Sequence, residues 1–160
     1  MANPRRQDFD SYFAPLVAIP STSLTAGGAG DNVEVDGPSI NRITTAGGVC
    51  DHLTFIVQAL VAGIVAADAT LSLKGTLQDS ADGSSFSDVS ATLQPSGAAE
   101  GLIGSAISVD GSSVSEFTAD CRGLRQFVRL QLKPDLSAAG TDTATVSAIA
   151  ILAGSHKLPV

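Results

Sequence analysis

Leu71-Ser-Leu-Lys-Gly-Thr-Leu-Gln-Asp79 alternates apolar and polar residues with a period of two. That period suits a half-buried β-strand, because successive side chains leave a pleated backbone on opposite faces. Leu71, Leu73 and Leu77 fall on one face, and Ser72, Lys74, Thr76 and Gln78 on the other. The run meets Ser80 to Ser85, where Asp82-Gly83 supplies turn chemistry. Apolar residues return at Phe86, Val89 and Leu93, so the spacing predicts a hairpin over residues 71–93.

The same grammar recurs. Gln126 to Lys133 places Val128, Leu130 and Leu132 inward and Arg129, Gln131 and Lys133 outward, with Pro134 expected to end the pairing because it brings no N–H. Ile103 to Val109, the turn Asp110-Gly111, and Val114 to Thr118 propose two further strands. Thr143 to Ala153 carries apolar residues on both alternating sets, the pattern of a central strand covered on both sides. With Val33 to Val35, Ile40 to Thr44 and Leu53 to Val61, the chain reads as about eight or nine short strands, the spacing of an all-β antiparallel β-sandwich or barrel. A helix over Leu53 to Ala67 competes for one stretch. β-Branched and aromatic residues favour a strand through Val61, leaving Gly63 to Ala69 for a helical turn. Alternation alone leaves jelly-roll and immunoglobulin-like strand orders open.

Residues 1–31 differ from the rest. Pro4, Pro15 and Pro20 interrupt any helix, and Gly27-Gly28-Ala29-Gly30 closes the segment like a linker. The expectation is an extended N-terminal arm over 1–31 and a sandwich domain over 32–160. Phe9, Tyr12, Phe13, Leu16, Val17 and Ile19 have no periodicity with which to bury themselves, so they either flank the main core or act as candidate anchors on another molecule.

Composition argues against chemistry. Ala, Ser, Gly and Thr make 70 of the 160 residues, charged residues only 16%, and Trp is absent. A net charge of −7 disfavours bulk nucleic-acid binding. Arg122, Arg125, Arg129 and Lys133 gather four of the nine positive charges. They suit either an acidic partner surface or, more simply, a solvated strand face or rim of ordinary ion pairs. Cys50 and Cys121 match no zinc spacing and read as buried free thiols, one disulfide being the alternative. His52 and His156 are the only imidazoles, and no nucleophile elbow, P-loop or metalloprotease motif accompanies them. Asp79, Asp82 and Asp88 crowd one hairpin. Local turn bonding explains them better than calcium, since the loop lacks an EF-hand's third-position acid and closing Glu. One Tyr and no Trp leave little platform for a glycan. No signal peptide or membrane-spanning segment is expected, which points to use in a cytoplasm or release by lysis. No catalytic residue, cofactor or metal is assigned.

Three segments carry a resemblance: Leu77-Gln-Asp-Ser-Ala-Asp-Gly-Ser-Ser-Phe-Ser-Asp-Val89, Cys121-Arg-Gly-Leu-Arg-Gln-Phe-Val-Arg-Leu130 and Thr143-Ala-Thr-Val-Ser-Ala-Ile-Ala-Ile-Leu152. Over roughly residues 70 to 153 the chain resembles small β-sandwich virion proteins of tailed bacteriophages, and its length and arm are most like those of capsid decoration (cement) proteins. The resemblance implies a structural protein on the capsid surface of a virion, assembled in the host cytoplasm. Its implied partner is the major capsid protein, and it would act as a homo-oligomer such as a trimer, without direct nucleic-acid or membrane contact. The arm anchors, and less securely Arg122, Arg125 and Arg129, would carry binding. Tail-tube and minor tail proteins share the sandwich and form the alternative, with a receptor- or glycan-binding module behind them.

Overall fold

The structure, a computed structural model, describes residues 14–43, 49–62, 70–97, 100–108, 111–137 and 141–156. Among the described residues, ten strands follow one another: β1 (Ala14–Thr25), β2 (Val35–Asp36), β3 (Ile40–Asn41), β4 (Val49–Ala62), β5 (Leu71–Ser80), β6 (Ser87–Asp88), β7 (Gly101–Leu102), β8 (Gly111–Asp120), β9 (Phe127–Leu136) and β10 (Thr143–His156). They form two antiparallel sheets. The first has the order β1-β10-β4-β8; the second has the order β2-β9-β5-β6, with β3 also on β9 and β7 also on β5. The chain is an all-β antiparallel sandwich, and the path changes sheet after β1, β3, β4, β7, β8 and β9.

Alternation fills the space between the sheets. Leu53, Phe55, Val57 and Ala59 of β4 and Ala144, Val146, Ala148, Ala150 and Leu152 of β10 face Leu71, Leu73 and Leu77 of β5 and Val128, Leu130, Leu132 and Leu136 of β9. Phe55 stacks on Phe117 with ring centroids 5.8 Å apart. The strand chosen for Leu53 to Val61 is present, because β-branched and aromatic side chains pack well on a pleated surface. The helical turn expected over Gly63 to Ala69 lies outside the described residues.

Several expectations are corrected. Pro134 does not end β9, which runs to Leu136 with Leu73 opposite Pro134. The Pro134 carbonyl accepts from Asn32 N–H on the side away from β5, so the missing N–H is directed where no β5 bond would form. β10 is central in its sheet, but only one of its faces lies in the core; Ile149 on the other is exposed. The return strand of the 71–93 hairpin shrinks to Ser87–Asp88, and residues 91–93 and 95–97 make 3-10 turns. The buried Gln94 amide takes the place of a neighbouring strand there. Leu77 N–H donates to its Oε1, and its Nε2 donates to Leu77 O and Val89 O. Ile103 to Ile107 touches β5 through separate bonds at Leu73 and Leu71, with no continuous ladder.

The segment read as an arm joins the sandwich at Ala14. β1 is an edge strand paired with β10 from Ala14↔Leu152 to Thr25↔Thr143, with two register shifts between Val17 and Thr22. Its prolines are compatible because it is paired on one side only. The Gly-rich stretch is an ordered turn: Asp31 accepts from Gly27 N–H through Oδ2 and from Leu136 N–H through Oδ1, tying one sheet to the other. Gly37 passes so close to β1 that a Cβ there would lie 2.0 Å from Ala18 O.

Candidate functional site

The predicted anchors separate into three groups. Phe9, Tyr12 and Phe13 lie outside the described residues. Leu16 and Val17 are exposed on β1, Val17 at 56%. Ile19 is only 1% exposed and sits opposite Ala148 on the inner face, so it is a core residue and no partner anchor. The register shift after Val17 turns the chain so that Ala18 and Ile19 are both buried.

The basic cluster meets its acids within the chain. Arg122 Nε and Nη2 donate to the Asp120 carboxylate, and this pairing holds the Asp120 carboxyl well below the usual range. Arg125 N–H donates to Asp79 Oδ2, and its guanidinium lies 3.9 Å from Asp79 Oδ1. Arg129 pairs with Asp36 at 3.0 Å, donates to Gln78 Oε1, and covers the Phe86 ring at 4.4 Å. Lys133 reaches Glu100 at 3.4 Å. The simpler reading of the cluster, ordinary ion pairs, is the observed arrangement, with Arg129 and Lys133 on β9 and Arg122 and Arg125 in the loop before it.

The hairpin carboxylates serve local structure. Asp82 Oδ1 accepts from the N–H groups of Ser84 and Ser85 and from the Ser80 hydroxyl, and these bonds depress its pKa strongly. Gly83, at φ 74°, completes the turn. Asp79 is engaged by Arg125, and Asp88 accepts from Gln78 Nε2. Among the described residues, no three His, Cys, Asp or Glu side chains are grouped to hold a metal ion. His52 is an exposed β4 residue opposite Asp120. No described residue assembles a nucleophile and base around it.

Cys50 and Cys121 are buried and unbonded. Burial pushes the Cys121 thiol up to about 11 and raises that of Cys50 as well. Thiolates are the reactive form, so both act as small apolar side chains. Beside them lies Arg42, which the sequence reading passed over. It is buried at 3% exposure, with Nε and Nη2 on Cys50 O and Nη1 on Leu124 O and Arg125 O. Nothing in the sequence near Arg42 marks it, because the carbonyls it joins lie 8 and more than 80 residues away.

The two outer faces of the sandwich differ. The β5–β9 sheet presents Lys74, Gln78, Arg129, Gln131, Lys133 and Asp135, tied together by bonds such as Lys74–Asp135 and Gln131–Asp36. The β1–β8 sheet presents aliphatic side chains interspersed with polar ones such as Gln58, Ser112, Glu116 and Thr118. Val17, Ile149 and Ile56 sit side by side across β1, β10 and β4, flanked by Leu60 at 53% exposure and Val114 at 64%. Of the eight exposed large apolar residues among the described ones, five lie on strands of this sheet.

No protein-family model matches the chain, and no curated protein matches it. Solved structures with a similar strand arrangement include infectious bursal disease virus Gx strain, at 13% identity and TM-score 0.47 over 88% of this chain and 32% of that one. The VP2 subviral particle of infectious bursal disease virus matches at 14% and 0.46, over 88% and 32%. The CBM22-1 and GH10 modules of Clostridium thermocellum xylanase 10B match at 11% and 0.33, over 92% and 27%. The chain spans about a third of the length of these proteins. At these TM-scores the likeness carries no fold, activity or partner across.

Proposed function

We propose that this chain is a structural virion protein that binds the outer surface of a phage capsid and stabilises the lattice of its major capsid protein. The observation that carries the reading is the asymmetry of the sandwich: one outer face is closed by its own ion pairs, while the other exposes Val17, Ile149, Leu60 and Val114. Exposed large apolar side chains gathered on one face, here with polar neighbours such as Gln58 and Glu116 among them, are a feature of interaction sites. Phe9, Tyr12 and Phe13 precede β1 in the chain and are proposed as further aromatic anchors on the capsid. The sequence resemblance to decoration proteins supports a capsid as the partner. Arg122, Arg125 and Arg129, each engaged internally, contribute less than the aliphatic face.

The test mixes purified protein with capsids assembled from the major capsid protein, pellets them, and measures both bound protein and capsid melting temperature. Saturable binding with a raised melting temperature is expected. A chain lacking residues 2–13, which leaves β1 intact, is expected to bind more weakly. Failure of the full chain to bind capsids, or binding without any rise in melting temperature, overturns the reading.

A further inference from the structure

The sandwich has four edges, and three are blunted. β2 and β6 are two residues long, too short to template another strand. β1 carries Pro15 and Pro20, two register shifts, and the close approach of Gly37 to Ala18 O. β8 has none of these devices. It runs for ten residues, Gly-Ser-Ser-Val-Ser-Glu-Phe-Thr-Ala-Asp, without proline or lysine, and pairs with β4 in unbroken register from Gly111↔Val61 to Asp120↔His52. Among the described residues no strand lies on its other side.

The direction of its free groups follows from one bond. Cys121 N–H donates to Asp51 O, and in an antiparallel ladder alternate residues turn their N–H and C=O to the same neighbour. Odd-numbered residues of β8 therefore bond β4, and Ser112, Val114, Glu116 and Thr118 present donors and acceptors to the open edge. Their side chains stand on the outer face, where Val114 is the most exposed large apolar residue described. A groove of about 560 Å³ lies between Gly104–Ser108 and Gly111–Ser115, with Gly104 packed against the Ser115 side chain.

We propose that β8 pairs antiparallel with β8 of a second copy, about a two-fold axis through Val114, joining the two four-stranded sheets into one of eight. Bonding between edge-facing residues requires even-numbered residues opposite even-numbered ones. The two neighbouring registers are less favourable: one centred on Glu116 sets two carboxylates face to face, and one centred on Ser115 sets the Val114 side chain against the Glu116 carboxylate. The pairing centred on Val114 sets that side chain against its own copy and Ser112 against Glu116, whose carboxylate accepts from the hydroxyl. Three residue pairs then exchange six backbone bonds, and the contact closes on itself, as an isologous interface must. A head-to-tail pairing of β8 with β1 would instead build rings, and the prolines and register shifts of β1 oppose it. The proposal stands independently of the capsid reading.

The experiment measures the mass of the full chain by light scattering and sedimentation across concentration. A mass twice that of the 16.1 kDa chain is expected. Val114→Pro removes an edge-facing N–H without removing a β4 bond, and Val114→Lys adds an edge charge without touching the backbone. Both are expected to weaken dimerisation about tenfold or more while retaining the wild-type circular dichroism spectrum. Ser21→Lys on β1 leaves the dimer intact, and Val114→Cys cross-links to its copy through a short bis-maleimide. A monomeric wild type, a trimer or ring, a dimer unaffected by Val114→Lys, or no cross-link at Val114→Cys overturns the proposal.

Discussion

Arg42 and Asp82 show how single polar side chains hold this sandwich. Arg42 spreads four hydrogen bonds over the carbonyls of Cys50, Leu124 and Arg125, joining the start of β4 to the loop before β9. Asp82 does comparable work at the surface by fixing the β5–β6 turn. Its pKa is depressed in the folded chain, chiefly by the N–H groups of Ser85 and Ser84. A depressed carboxylate adds stability that is fully present above its unfolded pKa of about 3.9 and is lost as pH falls towards the folded value. Thermal melts recorded from about pH 5 down to pH 2 are expected to fall steeply for the wild type. Asp82→Asn, which keeps an acceptor but cannot titrate, is expected to flatten that decline. Identical acid limbs for the two proteins would contradict this account of the turn.

At the scale of elements, Gln94 determines why the 71–93 hairpin has so short a return strand. Its buried amide bonds Leu77 N–H, Leu77 O and Val89 O; Leu77 O also accepts from Val89 N–H, so Leu77 N–H and Val89 O are the groups the side chain serves most directly. Gln94→Leu is expected to cost about 2–4 kcal/mol, because buried backbone groups left without partners keep their desolvation penalty. Chemical denaturation checks this, and a loss below about 0.5 kcal/mol, typical of surface changes, would refute it. The long core strands were legible because alternation is a local pattern: the leucines of β5 and the even-numbered residues of β9 mark their own inner faces. What was not legible depends on distant partners. β1 looked like a loose arm because its prolines are visible, while its pairing with β10, some 130 residues away, is not. Pro134 looked like a terminator because sequence does not tell which side of β9 its nitrogen faces. The outward direction of Arg129 and Lys133 was readable from alternation on β9, but the acids that pair with the Arg122–Lys133 cluster were not.

For the whole molecule, the decisive property is that its two outer faces have different chemistry. A sandwich needs only its inner faces to be apolar, and the β5–β9 sheet follows that rule with charged, mutually bonded side chains outside. The β1–β8 sheet departs from it at Val17, Ile56, Leu60, Val114 and Ile149, none of which the fold requires to be aliphatic. If that face docks on capsid, charges placed there should abolish binding while the core remains intact. The double variant Leu60→Asp, Ile149→Asp separates the new charges by four residue positions along the sheet, since Ile149 lies opposite Ile56, and avoids direct repulsion. Its expected stability loss is about 1 kcal/mol, within the span of strand propensities, whereas Val146→Asp on the inner face should prevent folding. In capsid co-sedimentation the double variant is expected to lose saturable binding. Arg122→Ala, which removes a solvent-exposed pair, is expected to retain it. The reverse pattern, with binding kept by the double variant and lost by Arg122→Ala, would transfer the contact to the basic cluster.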